Sequence, residues 1–244
     1  MEELKNKTYV VLITGASCGI GRAMAKAFYE NGYKLITIDK KDPINILKDE
    51  VFFKVDLLNE KELKDIVNRI KSNYKVDVLI NNAGLVIPER SECVSLDSFK
   101  RTMQLNTEVP LRLMQAVVAG MKDRNYGRII NITSRAVLGK ELRTSYAASK
   151  GAVIAMARTW ALELGEFGIT VNNIAPGPIQ TEMFMQNNSN EKIQKIKSQL
   201  PVKKLGMPIE IAHAALYLAD KRSSFITGQN IYLCGGLTIG LSSF

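Results

Sequence analysis

Tyr146 and Lys150 stand four residues apart, in Tyr146-Ala147-Ala148-Ser149-Lys150, within a run that has helical spacing. On a helix this spacing puts both side chains on one face, one turn apart. A phenol titrates near ~10, a poor match to neutral pH, and a nearby ammonium stabilises the phenolate and lowers that value. Such a pair suits proton exchange with an alcohol or carbonyl oxygen. Ser134, 12 residues upstream, is a hydroxyl able to bind the same oxygen.

A second constellation is the glycine-rich turn Thr14-Gly15-Ala16-Ser17-Cys18-Gly19-Ile20-Gly21. Its glycines let the chain turn tightly and bring backbone N–H groups close to a pyrophosphate, and the helix that follows adds partial positive charge. Glycine triplets occur in ordinary turns too. The context here is more specific, because a β-rich run leads in, a helical run leads out, and Asp39 closes the next β-rich run.

Alternating elements must position these groups. Thr8–Ile13, Lys34–Ile38, Val51–Val55, Val76–Ile80, Gly127–Ile132, Ile169–Ile174 and Asn230–Leu233 read as strands. Gly19–Glu30, Glu60–Ile70, Leu96 to about Met121, Tyr146 to about Gly165, and Pro208–Leu218 read as helices. The alternation predicts a parallel sheet with helices on both faces. With no linker, low-complexity tract or repeat, residues 1–244 are expected to form a single domain. Lys40–Glu50 is too short for a full crossover helix and is expected to be a turn or loop. The polar stretch Gln186–Ser198 suits a lid or a surface helix.

Composition excludes several function classes. Hydrophobic residues make up 46% and charged residues 23%, which is ordinary for a globular chain with a sizeable core. No apolar run approaches the ~18–20 residues that span a bilayer, and Met1–Lys7 lacks the apolar stretch of a signal peptide; a cytoplasmic location is expected, without a membrane. Cys18, Cys93 and Cys234 are odd in number and far apart, so neither a disulfide framework nor a metal site is expected. The single histidine, His213, sits in a helical run and suits a structural role better than a catalytic one. The net charge is +9 and the pI about 9.4. The cations alternate with acids, as in Lys61-Glu62-Leu63-Lys64-Asp65. That pattern favours attraction of anionic small molecules over nucleic-acid binding.

The GxxxGxG spacing resembles that of the short-chain dehydrogenase/reductase family. Further motifs recur in the family's order: Asn81-Asn82-Ala83-Gly84, Asn106, Ser134, Tyr146-x-x-x-Lys150 and Pro176-Gly177. The resemblance covers essentially the whole chain. It implies a Rossmann-type three-layer α/β/α sandwich with a seven-stranded parallel sheet, usually a homotetramer, with a homodimer as the other expected assembly. It also implies hydride transfer between a nicotinamide cofactor and a secondary alcohol or ketone. Asn106, Ser134, Tyr146 and Lys150 match the catalytic tetrad; Lys150 would hold the nicotinamide ribose, and Asn106 would support a water leading to Lys150. The resemblance assigns the cofactor to Gly15, Ser17, Cys18, Gly19, Ile20 and Gly21, to Asp39 and Lys40, to Asp56 and Leu57, to Asn82, Ala83 and Gly84, and to Pro176, Gly177, Ile179 and Thr181. Cys234 stands where the family commonly has Asp.

Asp39 can accept hydrogen bonds from adenosine ribose hydroxyls and repel a 2′-phosphate, which favours NAD over NADP. Lys40 and Lys41 pull the other way. An NADPH-dependent 3-oxoacyl thioester reductase is the alternative. A non-catalytic nicotinamide sensor is more remote, since sensors usually lose Tyr or Lys from the set. An epimerase or dehydratase of the longer branch would need a further substrate domain. Arg135 and Arg143 flank the predicted substrate oxygen in sequence. Arginine binds carboxylate or phosphate at two points, which suits an anionic substrate; surface or subunit-interface roles are the other reading of both.

Overall fold

The computed structural model describes residues 8–239. The expectation for Met1–Lys7 lies outside them. Seven strands form one sheet in the order β3-β2-β1-β4-β5-β6-β7, with every neighbouring pair parallel. They are β1 (Val10–Thr14), β2 (Lys34–Asp39), β3 (Val51–Lys54), β4 (Val78–Asn81), β5 (Gly127–Ile132), β6 (Ile169–Pro176) and β7 (Asn230–Leu233). The strand order reverses between β1 and β4, where a crevice opens at the carboxyl ends of open α/β sheets.

Apolar runs bury the central strands on both faces. Leu12, Leu79, Ile129 and Val171 face one layer, formed by α2 (Glu60–Asn73), α4 (Val109–Asp123) and α5 (Thr144–Leu164). Val11, Ile13, Val78, Ile80 and Ile130 face the other, formed by α1 (Gly19–Glu30) and α8 (Pro208–Ala219). Phe28 of α1 is fully buried, a contribution of roughly 2–3 kcal/mol for one side chain. Helix ends follow local chemistry: the Asn59 side chain caps α2 by accepting from Lys61 N–H and Glu62 N–H, and Pro208 opens α8.

Two elements differ in detail from the sequence reading. The long helix from Leu96 is α3 (Leu96–Met103), a π-helical turn over Gln104–Glu108, and α4. Asn106 sits inside that turn. Hydrophobic periodicity does not register the extra residue of a single wide turn. The segment between β2 and β3 is a loop, held by the carboxylate of Glu50, whose side chain is fully buried. Glu50 accepts two hydrogen bonds from Arg22, at 3.0 and 2.8 Å, one from the Thr37 hydroxyl at 2.5 Å and one from Leu47 N–H at 2.9 Å. The polar stretch after α6 (Glu182–Gln186) contains α7 (Asn190–Gln199), capped by Ser189, with Ile193 packed on Leu200 and Leu205.

Candidate active site

Gly15 and Gly19 adopt φ of +66° and +55°, in the left-handed region that glycine tolerates best. A Cβ on Gly15 would lie 2.9 Å from the Ala83 Cα, and one on Gly21 would collide with the Gly15 carbonyl oxygen. The turn therefore closes only with hydrogen at both positions. Cys18, the N-cap of α1, offers no side-chain acceptor to the helix's first N–H groups, leaving them to a ligand. That is the geometry an incoming phosphate needs. Thr14 locks the turn to the next wall: its hydroxyl oxygen accepts from Asn82 N–H and Ala83 N–H, both at 3.0 Å. Asn82 Nδ2 donates back to the Thr14 and Gly15 carbonyls at 3.0 and 2.9 Å.

Asp39 ends β2 beside this turn. Its carboxylate accepts from Ser17 N–H at 3.0 Å and from Lys41 N–H at 3.1 Å. The Ser17 hydroxyl donates to the Lys41 carbonyl at 2.5 Å, so the loop after β2 is tied to the glycine turn at two levels. Lys40 is exposed. Asp56 follows β3 and accepts from Leu58 N–H at 3.0 Å, while Leu57 is buried in the core. Pro176 closes β6; Gly177 N–H donates to the Leu233 carbonyl at 2.9 Å, and a Cβ there would lie 2.7 Å from the Cys234 Cα. Ile179 is buried beside Gly206. Thr181 caps α6 by accepting from Phe184 N–H at 3.2 Å, and its methyl would lie 3.4 Å from a Cβ on Gly19. Ile20 is the second residue of α1, in the same turn. The glycine turn, the wall after β4 and the loop after β6 thus face one crevice.

The candidate catalytic cluster lies where β5 meets α5. Ser134 follows β5, and its oxygen accepts from Ala136 N–H at 3.1 Å. Lys150 is only 4% exposed, and its ammonium donates to the Ile132 carbonyl at 2.8 Å. Burial pushes the Lys150 ammonium down to about 8. Asn106 is buried; its Oδ1 accepts from Leu85 N–H at 2.7 Å, and its Nδ2 donates to the Leu85 carbonyl and the Ser149 hydroxyl, both at 2.9 Å. A Cβ on Gly84 would lie 3.6 Å from both Asn106 Oδ1 and Lys150 Nζ, so the two groups converge on that glycine.

Tyr146 departs from expectation. Burial pushes its phenol above the ordinary value, against the lowering influence of the Ser134 hydroxyl and the Arg143 charge. Lys150 Nζ sits 5.8 Å from the centroid of the Tyr146 ring and donates one of its three N–H groups to the Ile132 carbonyl. Helical spacing brings the two residues together but does not aim the ammonium at the hydroxyl.

Known proteins match along nearly the full length. A family model described as enoyl-(acyl carrier protein) reductase matches residues 15–238. An NAD-dependent glycerol dehydrogenase of Listeria innocua is 32% identical, over 94% of this chain and 94% of that protein. A 3-oxoacyl-[acyl-carrier-protein] reductase of Rickettsia bellii is 36% identical, over 97% of this chain and 99% of that one. The chain belongs to the short-chain dehydrogenase/reductase family. Among solved structures, a 4-hydroxyisoleucine dehydrogenase complexed with NADH superposes with a TM-score of 0.89 at 30% identity, over 96% of this chain and all of that one. This short-chain dehydrogenase/reductase is therefore a nicotinamide-linked oxidoreductase with a Rossmann-type sheet.

Sequence reasoning assigned no role to four groups that shape the site, although it quoted Thr14 and Ser149 within their motifs. Thr14 joins the glycine turn to the Asn82 wall. Ser149 links Asn106 to the Tyr146 carbonyl, to which it donates at 2.8 Å. Arg22 and Glu50 fasten the loop that carries Lys40 and Lys41. Ser149 had a local signal, its place inside Tyr146-x-x-x-Lys150. The Arg22–Glu50 pair spans 28 residues and had none.

Proposed function

We propose that this oxidoreductase interconverts a secondary alcohol and a ketone with NAD(H), using Tyr146 as the acid/base. The observation that carries the reading is the convergence of Ser134, Tyr146, Lys150 and Asn106 at the end of the crevice that the glycine turn opens. Bound nicotinamide supplies the hydride acceptor or donor. Gly15, Ser17, Cys18, Gly19, Ile20 and Gly21 would hold its pyrophosphate, and Asp39 its adenosine ribose. Asp56, Leu57, Asn82, Ala83 and Gly84 form the adenosine side of the crevice, and Pro176, Gly177, Ile179 and Thr181 the nicotinamide side.

In reduction Tyr146 gives its proton to the carbonyl oxygen while Ser134 donates a hydrogen bond to that oxygen. In oxidation Tyr146 takes the alcohol proton. Lys150, buried and turned to Ile132, holds positive charge beneath the reacting centre and is placed to bind a ribose hydroxyl. Asn106, held by Leu85 and Ser149, keeps α4 and α5 in register behind Lys150.

NAD is favoured over NADP because Asp39 is fastened in place by two N–H groups. A fixed carboxylate at the ribose repels a 2′-phosphate, whereas Lys40 and Lys41 are surface cations. The alternative, an NADPH-dependent 3-oxoacyl thioester reductase, draws on the reductase relatives. Titration of the protein with NADH and NADPH, read by nucleotide fluorescence, separates the two. Tighter NADH binding is expected, with Asp39→Ala narrowing the gap at least tenfold; tighter NADPH binding would move the thioester reductase first. The substrate carries negative charge on this reading. The assembly is a homotetramer or homodimer, supported by the apolar groups Phe99, Met103 and Leu111 that line an open cleft on α3 and α4.

A further inference from the structure

Four cations lie within electrostatic reach of one another beside Tyr146: Arg143 acts on the Tyr146 phenol, and Arg143, Arg135 and Lys192 act on the Lys140 ammonium. Arg135 follows Ser134 directly, Lys140 lies in the loop that comes next, and Arg143 is the N-cap of α5, three residues before Tyr146. Lys192 comes from α7. None of the four forms an ion pair within 4 Å among the described residues. Arg135 Nε is buried with no hydrogen-bond partner. Arg143 spends one N–H on the Leu142 carbonyl at 2.9 Å and leaves the rest of its fork unused. Glu89, bridged to Arg143 through the backbone, accepts from the Ser98 hydroxyl with Oε1 at 3.1 Å; its Oε2 is buried without a hydrogen-bond partner and forms no ion pair with Arg143.

A fold does not gather like charges and bury part of a guanidinium without a partner for no gain, since each uncompensated donor costs about 1–3 kcal/mol. A ligand anion would offset that cost. Resting on the oxidoreductase reading above, we propose that Arg135, Lys140 and Arg143, with Lys192 closing from α7, hold a carboxylate or phosphate group of the substrate. That group lies a few bonds from the carbon that Tyr146 and Ser134 address. Partial desolvation, then the charges of Arg143, Arg135 and Lys192, push the Lys140 ammonium down; Lys140 and Lys192 are themselves exposed, so a ligand anion could reach them from solvent. Arg143 also acts on the Tyr146 phenol, so the anion site and the proton-transfer site share one field.

The experiment titrates the protein, free and with NADH, with malonate and separately with inorganic phosphate, read by calorimetry. Saturable binding is expected, weakened at least tenfold by Arg135→Gln and by Lys140→Gln and less than twofold by Lys64→Gln on α2. The anion that saturates first identifies the group as carboxylate or phosphate. Absence of saturation, or equal loss in Lys64→Gln, overturns the proposal. A paired assay compares short hydroxy acids with their methyl esters: a higher kcat/KM for the acids, with the ratio falling at least tenfold in Arg135→Gln, is expected, and equal ratios in both proteins would overturn it. Failure of NADH to bind would instead remove the oxidoreductase reading, while the anion titration of the free protein would still judge the cluster.

Discussion

At the residue scale, burial rather than pairing sets the chemistry of Tyr146 and Lys150. The phenol is pushed up, so the cofactor-free protein holds it protonated at neutral pH, ready as an acid and reluctant as a base. Oxidation should accordingly speed up toward alkaline pH. Tyr146→Phe keeps the ring and its packing but loses the transferable proton. NADH should bind this variant within about twofold of wild type, while kcat falls by roughly a thousandfold or more, on the scale that loss of an acid/base group reaches. Full turnover in Tyr146→Phe would remove the mechanism. Lys150 titrates near 8 in the folded chain, below its ordinary 10.5. Between these values the unfolded chain binds more protons, so stability rises with pH across that window, and below about 8 the cost of the buried charge is fully present. Denaturant unfolding from pH 8 to 10 should show wild type gaining on Lys150→Met by about 2 kcal/mol. Parallel curves would mean the ammonium is solvated.

At the scale of elements, the loop between β2 and β3 stands in place of a crossover helix. Burial by itself would raise the Glu50 carboxyl, but hydrogen bonds from Arg22, Thr37 and Leu47 hold it below the ordinary carboxylate value. Because Arg22 lies on α1, one residue past the glycine turn, the pair ties the adenosine end of the crevice to the helix that would hold the phosphates. Glu50→Ala leaves Arg22 buried without its anion. It should cost about 3 kcal/mol in chemical denaturation and weaken NADH binding several-fold. Unchanged cofactor affinity in a destabilised variant would make the staple purely structural. The β-α alternation around this loop was legible from periodicity, because strands buried on both faces read as unbroken apolar runs. The π-helical turn at Asn106 was not, since one inserted residue shifts the apolar stripe too little to register.

At the scale of the whole molecule, the parallel sheet sends the glycine turn after β1, the Asn82 wall after β4, Ser134 after β5 and the Pro176 loop after β6 to one edge. The apolar cleft of α3 and α4 faces away from the core. Sedimentation or light scattering should find a dimer or tetramer, and Met103→Lys should shift it toward smaller species. A wild-type monomer at micromolar concentration would overturn the assembly. The sequence alone determined the family and the sheet and nominated the side chains proposed to react, because glycine spacing, helical spacing and apolar runs are local patterns. Only the tertiary structure decided how those side chains are used. The direction of Lys150, the rise of the Tyr146 phenol, the grip of Glu50 on Arg22 and the unpaired Arg135 all depend on which distant groups share a buried volume, and burial and charge act through space rather than along the chain.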